Sequence, residues 1–288
     1  MVGSRTEAGV LAAPMVVFLL LFLGLPVLVN LIYSVSEVGF ETLRSPRLSG
    51  FGNYAAALGD AAFWRAAWFS TRFALVTATI QVALGLFLAI FLAPLLRAQS
   101  WAVAVLMAPL MVAPALVGLM YRLVLHEFVG PAPHYAWILF GLRPAFLSGD
   151  MLIWTLVVME CLQWTPFAFL LFHMAYGAIA PELREAAAMD GATGLRLLRF
   201  IELPLMAPTL AIAFFIRFID GFRVFDNIYV LVGSGPGGSA ASMSIYIYEA
   251  FFRQGAIGRA VAASVLLFAA SFALLWALNT LAAKRRAG

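Results

Sequence analysis

The chain has 288 residues, 64% of them hydrophobic and 11% charged, with a mean hydropathy of +0.98 and a formal net charge of +4. A soluble domain needs roughly a quarter of its residues charged, so this composition excludes one and indicates an integral membrane protein. The arginines are spread among apolar segments rather than gathered into a basic stripe with aromatics between them, which argues against nucleic-acid binding.

The first apolar run, about Gly9 to Val35, follows Arg5 and approaches the roughly 20 residues of a full membrane span. Ser34-Val35-Ser36 has the small-x-small form of a signal cleavage site. The run is nevertheless too long for a signal core, and it reads as a retained first helix with kinks at Pro14 and Pro26. Glu37 to Trp64 is a polar interval containing Gly50-Phe51-Gly52-Asn53-Tyr54 and Asp60-Ala61-Ala62-Phe63-Trp64, whose aromatics suit a membrane-interface belt. Helix 2 is expected over about Ala66–Leu95 and helix 3 over about Trp101–Leu125. Pro109 and Pro114 lie inside helix 3. Either they kink it, or they break it where neighbouring protein or a cavity satisfies the freed carbonyls. His126 to Gly149 forms a second loop, and helix 4 follows over about Asp150–Ile179.

Pro181 to Pro208 is the longest polar-rich interval between membrane-length apolar runs. Pro181 suits the first helical position, Glu182 and Glu185 lie near the positive end of the helix dipole, and Ala186, Ala187 and Ala188 are strong helix formers. Gly191 can take the left-handed conformation that stops a helix. Thr193 then caps a second short helix with Leu197, Leu198 and Ile201 on one face. The expectation is a helix–Gly–helix elbow. It could dock in another protein's groove or lie as an amphipathic turn on the membrane, and the small Ala face favours docking.

Helix 5 is expected over about Leu205–Val232 and holds the run Arg217-Phe-Ile-Asp220-Gly-Phe-Arg223-Val-Phe-Asp226. Charges within a span face a bundle interior or a water-filled path. Arg217–Asp220 and Arg223–Asp226 can neutralise each other as i,i+3 pairs. Alternatively the arginines, with Arg72 or Arg122, hold an anionic solute group bidentately. Glu160 and Gln163 are further pathway candidates, and Trp164, Phe222 and Tyr229 could stack on a sugar ring. A Gly-rich turn over residues 233–239 leads to the IYIYEAFF run and to helix 6, about Gly258–Ala282. No Walker-type phosphate loop occurs, and Cys161 with three histidines shows no metal-ligand spacing.

Six helices place both termini on one side. Arg5, Arg97, the loop with Arg184, Arg196 and Arg199, and Lys284-Arg285-Arg286 assign that side to the cytoplasm. The opposite loops mix Arg44, Arg47, Arg143 and Arg253 with Glu37, Glu41, Asp60 and Glu249.

The residues Glu185-Ala186-Ala187, Asp190-Gly191-Ala192 and Ile201-Glu202-Leu203-Pro204 resemble the EAA loop of the permeases of binding-protein-dependent ABC importers. Further likenesses to the carbohydrate branch are Asn53-Tyr54 with Asp60 and Phe63-Trp64, Trp164-Thr165-Pro166, Phe225-Asp226, and the Gly-rich turn with IYIYEAFF, although Val232 stands where threonine is usual. The resemblance implies an all-α integral membrane protein like the maltose-transporter permeases. Residues 1–288 would form one transmembrane domain of six helices, with a coupling loop over 181–204. Glu182, Glu185, Ala186, Ala187, Asp190, Gly191 and Ala192 would meet a cytoplasmic ATPase. The implied partners are a second permease, an ATPase dimer that holds the ATP and Mg, and an extracytoplasmic solute-binding protein docking on loops 37–64, 126–149 and 233–253. The chain itself would hold no cofactor, metal or catalytic residue, and would lie in the cell inner membrane. Its solute would be a sugar, a glycoside or a related compound, including a phosphorylated or sulfonated one. An ion-coupled carrier using Asp220 or Asp226 is the rival reading. A membrane-embedded enzyme finds no convergent nucleophile or metal site here.

Overall fold

The computed structural model describes residues 5–99 and 101–287. The side chains of Arg5, Arg97 and Lys284, Arg285 and Arg286, on which the expected charge bias partly rests, lie outside the described set. Long apolar runs become helices because in hydrocarbon each backbone group must be bonded within its own segment. Helix α1 (Arg5–Leu19) continues through a π turn (Leu20–Gly24) into α2 (Leu25–Ser34). The π turn ends just before Pro26, which has no N–H to give and crowds the carbonyl four residues earlier; Pro14 is carried inside α1.

Strands β1 (Ser36–Glu37) and β2 (Arg47–Leu48) pair antiparallel, and α3 (Gly52–Gly59) follows. Helix α4 (Ala61–Phe91) begins and ends earlier than expected. The Asp60 carboxylate accepts the Ala62 N–H at 2.8 Å at its start, and Pro94 belongs to the next helix, α5 (Ala93–Ala98). The third apolar run is broken rather than kinked. Helix α6 (Trp101–Met107) with a 3-10 turn (Ala108–Met111) is bent by 85° from α7 (Pro114–Val124). Helix α8 (Pro131–Phe140) lies in the second loop, and α9 (Met151–Gly177) carries Pro166 without a break.

Next come α10 (Pro181–Met189), α11 (Leu195–Leu197) with a π turn (Leu198–Glu202), α12 (Leu203–Phe222) and α13 (Asp226–Val232). The single helix expected over about 205–232 is therefore interrupted at residues 223–225. The exposed carbonyls of that break are taken up by side chains, Ser244 Oγ donating to Arg223 O at 2.8 Å and Ser242 Oγ to Val224 O at 2.5 Å. Helices α14 (Met243–Tyr248) and α15 (Ile257–Ala287) complete the order. Among the described residues four helical stretches are long and apolar enough to cross a membrane, or five if the bent pair is one span, and α15 adds the shorter apolar stretch Ile257–Ala273.

The chain divides into two compact units, Met1–Trp64 with Tyr246–Gly288, and Arg65–Ile245. In the first, Val38, Ile257 and Val261 form a small core. Asn53 Nδ2 donates to the carbonyls of Ser34 (3.1 Å) and Ser36 (2.7 Å), and Tyr54 donates to Ser34 Oγ at 2.8 Å. Asn53, Tyr54 and Asp60 are thus used inside the unit. The Tyr246 hydroxyl donates to Asp60 at 2.9 Å, and burial together with that bond pushes its phenol up to about 12. No residue in the most apolar part of Leu11–Ser34 is buried, as suits a helix whose solvent is lipid.

In the second unit α9 is the most enclosed of the helices long and apolar enough to cross a membrane among the described residues. Its Leu156 and Met159 meet Phe69 and Phe73 of α4 and Ile228 and Leu231 of α13; further along, Ala168, Phe169 and Phe172 meet Ala89 of α4 and Met206 and Ala213 of α12. Helices in lipid gain little from apolar burial and rely on close backbone approach, which small residues permit. A Cβ on Gly85 would lie 2.7 Å from Phe169 N, and one on Gly118 2.5 Å from Asn227 O.

Candidate functional site

Four buried polar side chains come together in the second unit, Gln81 from α4, Glu160 from α9, Arg217 from α12 and Asn227 from α13, and the half-buried Asp220 of α12 joins them at the edge. Arg217 is 1% exposed and Glu160 2%. A guanidinium so enclosed must satisfy its donors within the protein. Nε donates to Gln81 Oε1 at 2.8 Å, Nη1 to Asp220 Oδ2 at 3.2 Å and Nη2 to Glu160 Oε1 at 3.1 Å, while the plane lies 4.5 Å from the centre of the Trp164 ring. The second Glu160 oxygen accepts from Asn227 Nδ2 at 2.7 Å, and Gln81 Nε2 donates to the Glu160 backbone carbonyl at 3.2 Å. Arg217 ties α12 to α4 and α9, and Glu160 ties α9 to α13 through Asn227.

The expected Arg217–Asp220 pair is present. Arg223 instead turns back to Asp220, Nη2 to Oδ1 at 3.0 Å, and takes part in no salt bridge with Asp226. The reason is the interruption at 223–225, because an i,i+3 pair needs one continuous helix. Asp226 is exposed at the start of α13. Gln163 Nε2 donates to Val112 O at 3.1 Å, at the bend between α6 and α7, and its Oε1 is buried without a hydrogen bond. Tyr229 stacks on Phe225 at 5.0 Å and Phe222 on Phe218 at 6.2 Å. Arg72 lies over Trp68, and Arg122 donates to Val230 O, so neither joins the cluster. Gln81 and Asn227 were not anticipated. The signal for each was a lone amide among apolar residues.

The elbow is built as its residues dictate. Pro181 opens α10, and Gly191 takes φ +76°. Ala192 N–H donates to Ala187 O at 2.8 Å and Gly191 N–H to Ala188 O at 3.0 Å, the paired closure that a left-handed glycine permits. Thr193 does not cap the next helix with its side chain; Gly194 stands at that position with φ +55°. Glu182, Glu185, Ala186, Asp190 and Gly191 are exposed and Ala192 is half-buried, whereas Ala187 is buried against its own chain. The elbow therefore offers carboxylates and the small methyls of Ala186 and Ala188 outward, a surface suited to charge-assisted hydrogen bonds with a partner. Inward it is held by Arg184, whose Nε donates to Glu202 Oε1 at 2.8 Å and whose Nη2 donates to Tyr176 O at 3.1 Å.

No family model matches the chain. Individual relatives do. A trehalose/maltose transport system permease protein of Thermococcus litoralis is 31% identical over 260 residues, 88% of this chain and 86% of the relative. An sn-glycerol-3-phosphate transport system permease protein of Rhizobium meliloti is 29% identical over 267 residues, 90% of this chain and 88% of the relative. Among solved structures, a bacterial ABC transporter involved in import of the acidic polysaccharide alginate superposes with a TM-score of 0.82 at 19% identity, covering 96% of this chain and 95% of that one.

Proposed function

The chain belongs to the permease subunits of sugar-type ABC transport systems, and from that premise we propose that it forms half of an ATP-driven import pathway for a neutral sugar or glycoside. In this reading it spans the cell inner membrane six times, with α6–α7 as one broken span, α15 as the last, and both termini in the cytoplasm. A second permease completes the pathway. An ATPase dimer carries the ATP and Mg and docks α10 through Glu182, Glu185, Ala186 and Asp190, with Ala187, Gly191 and Ala192 shaping the turn behind them. A solute-binding protein delivers the solute to the opposite loops. Closure of the ATPases moves the docked elbows, and the two permeases rock between inward- and outward-facing states.

The observation that supports a neutral solute is charge balance. Arg217 and Arg223 meet Glu160 and Asp220 in one linked set, so no surplus positive charge is left there to draw an anion. One feature favours a second reading: Arg223 keeps 66% of its side-chain surface and uses only Nη2 on Asp220, leaving donors for a phosphate or sulfonate. Uptake into proteoliposomes containing this chain, its partner permease, the ATPase and the binding protein decides between them. The expected result is ATP-dependent uptake of neutral disaccharides ahead of phosphorylated or sulfonated glycosides. Preference for the anions, lost in Arg223→Gln, would replace the neutral solute with the anionic one. Uptake that persists without the ATPase and collapses with an uncoupler would replace the importer with an ion-coupled carrier.

A further inference from the structure

Arg184 is the only basic residue of α10, and it points away from the face offered to a partner. Its guanidinium reaches two helices at once. It donates to Glu202, which is 3% exposed in the turn that feeds α12, and to the Tyr176 carbonyl near the end of α9, while lying 4.5 Å from the centre of the Tyr176 ring. Packing alone does not seat the elbow there, because a cavity of about 490 Å³ lined by Ile90, Phe91, Pro94, Leu195 and Leu198 opens beside the pair. The same two helices are joined again by Glu160 and Arg217 at 3.1 Å. Tyr176 lies sixteen residues along α9 from Glu160 and Arg217 fifteen along from Glu202, so each interval rises about 22–24 Å. Phe169, Phe172, Met206 and Ala213 fill the space between. Helices α9 and α12 are thus tied at two levels of similar spacing with a packed core between them.

We propose that Arg184 is the positioning residue that transmits movement of the elbow to the α9–α12 pair, through Glu202 and Tyr176. This rests on the reading of α10 as the ATPase-docking helix. A displacement of α10 reaches the ion cluster only if the elbow and the two helices move as one body, and Arg184 is a side chain that bonds the elbow to both. Removing its charge leaves docking intact and severs transmission.

The test uses the complete reconstituted transporter and reads solute moved per ATP hydrolysed, together with crosslinking to the ATPase from a photoreactive side chain placed at Met189, which is 89% exposed on the elbow. Arg184→Glu and Glu202→Arg should each keep the crosslink and ATP hydrolysis while solute per ATP falls roughly tenfold, within the usual range of site-to-site coupling. The double swap should restore the share carried by the 184–202 ion pair but not the share carried by the Tyr176 carbonyl, to which a carboxylate at 184 cannot donate. Arg184→Gln, which removes the charge without a like-charge clash, should fall in the same direction if a reversal impairs assembly. Wild-type solute per ATP in Arg184→Gln and Glu202→Gln, or a swap that restores nothing, would overturn the transmission role. No crosslink from Met189 in the unaltered transporter would instead overturn the docking reading beneath it.

Discussion

Arg184 and Arg217 each pair with a glutamate, at 2.8 Å and 3.1 Å, yet the two sites differ in how fully the arginine is used. Arg184 keeps 21% of its side-chain surface beside an open cavity and turns one edge to Glu202 and a backbone carbonyl. Arg217 keeps 1% and is engaged by Gln81, Asp220, Glu160 and the Trp164 ring. Burial explains the difference. Where water or headgroups can solvate the unused donors, one good partner suffices; where they cannot, every donor left over carries its full desolvation penalty. The elbow is therefore a region whose charges are available to a partner, and the cluster one whose charges are committed to each other.

Breaking the cluster should have the largest effect. Glu160→Ala leaves Arg217 buried with its main counter-charge gone, and should destabilise the chain by about 3–5 kcal/mol in denaturant titrations in detergent. Glu160→Leu combined with Arg217→Met removes both charges and should lie much closer to the natural protein, since apolar replacement of a buried pair is often nearly neutral. A single substitution no worse than Glu185→Ala would erase the contrast between the two regions. Gly118→Ala sharpens the same contrast without touching a charge. Its methyl would press on the Asn227 backbone, 2.5 Å from the oxygen, and shift the Asn227 amide from Glu160; overpacking of this kind costs about 1–3 kcal/mol, read by the same titration. Gly191→Ala should act least on the whole chain. Among the described residues nothing lies within 4 Å of the added methyl, so only the left-handed backbone resists, by about 1 kcal/mol. Amide exchange should quicken at Ala192, whose N–H closes the turn on Ala187, while the global unfolding midpoint stays within the scatter of surface substitutions.

Much of the elbow was legible residue by residue. Pro181 at the first helical position and Gly191 at positive φ follow from the conformational limits of those two residues, whatever surrounds them. The apolar runs announced the long helices in the same way, and Pro109 and Pro114 marked where the third would yield. Local reading failed where another residue, adjacent or distant, decided. Thr193 has the chemistry of a cap, but Gly194 starts the next turn. Arg223 and Asp226 have the spacing of a pair, but Ser242 and Ser244 accept an interruption between them by bonding its carbonyls. Arg184 and Glu202 are eighteen residues apart, beyond any helical periodicity.

The sequence by itself determined the class of protein, the long helices and the conformation of the Gly191 turn, because hydropathy, proline and left-handed glycine act within a few residues of where they stand. Only the tertiary structure decided which charges are spent and which are offered. Arg217 meets Glu160 and Gln81 from separate helices because Gly85 and Gly221 let those helices approach. A guanidinium enclosed that far from water is defined by what encloses it.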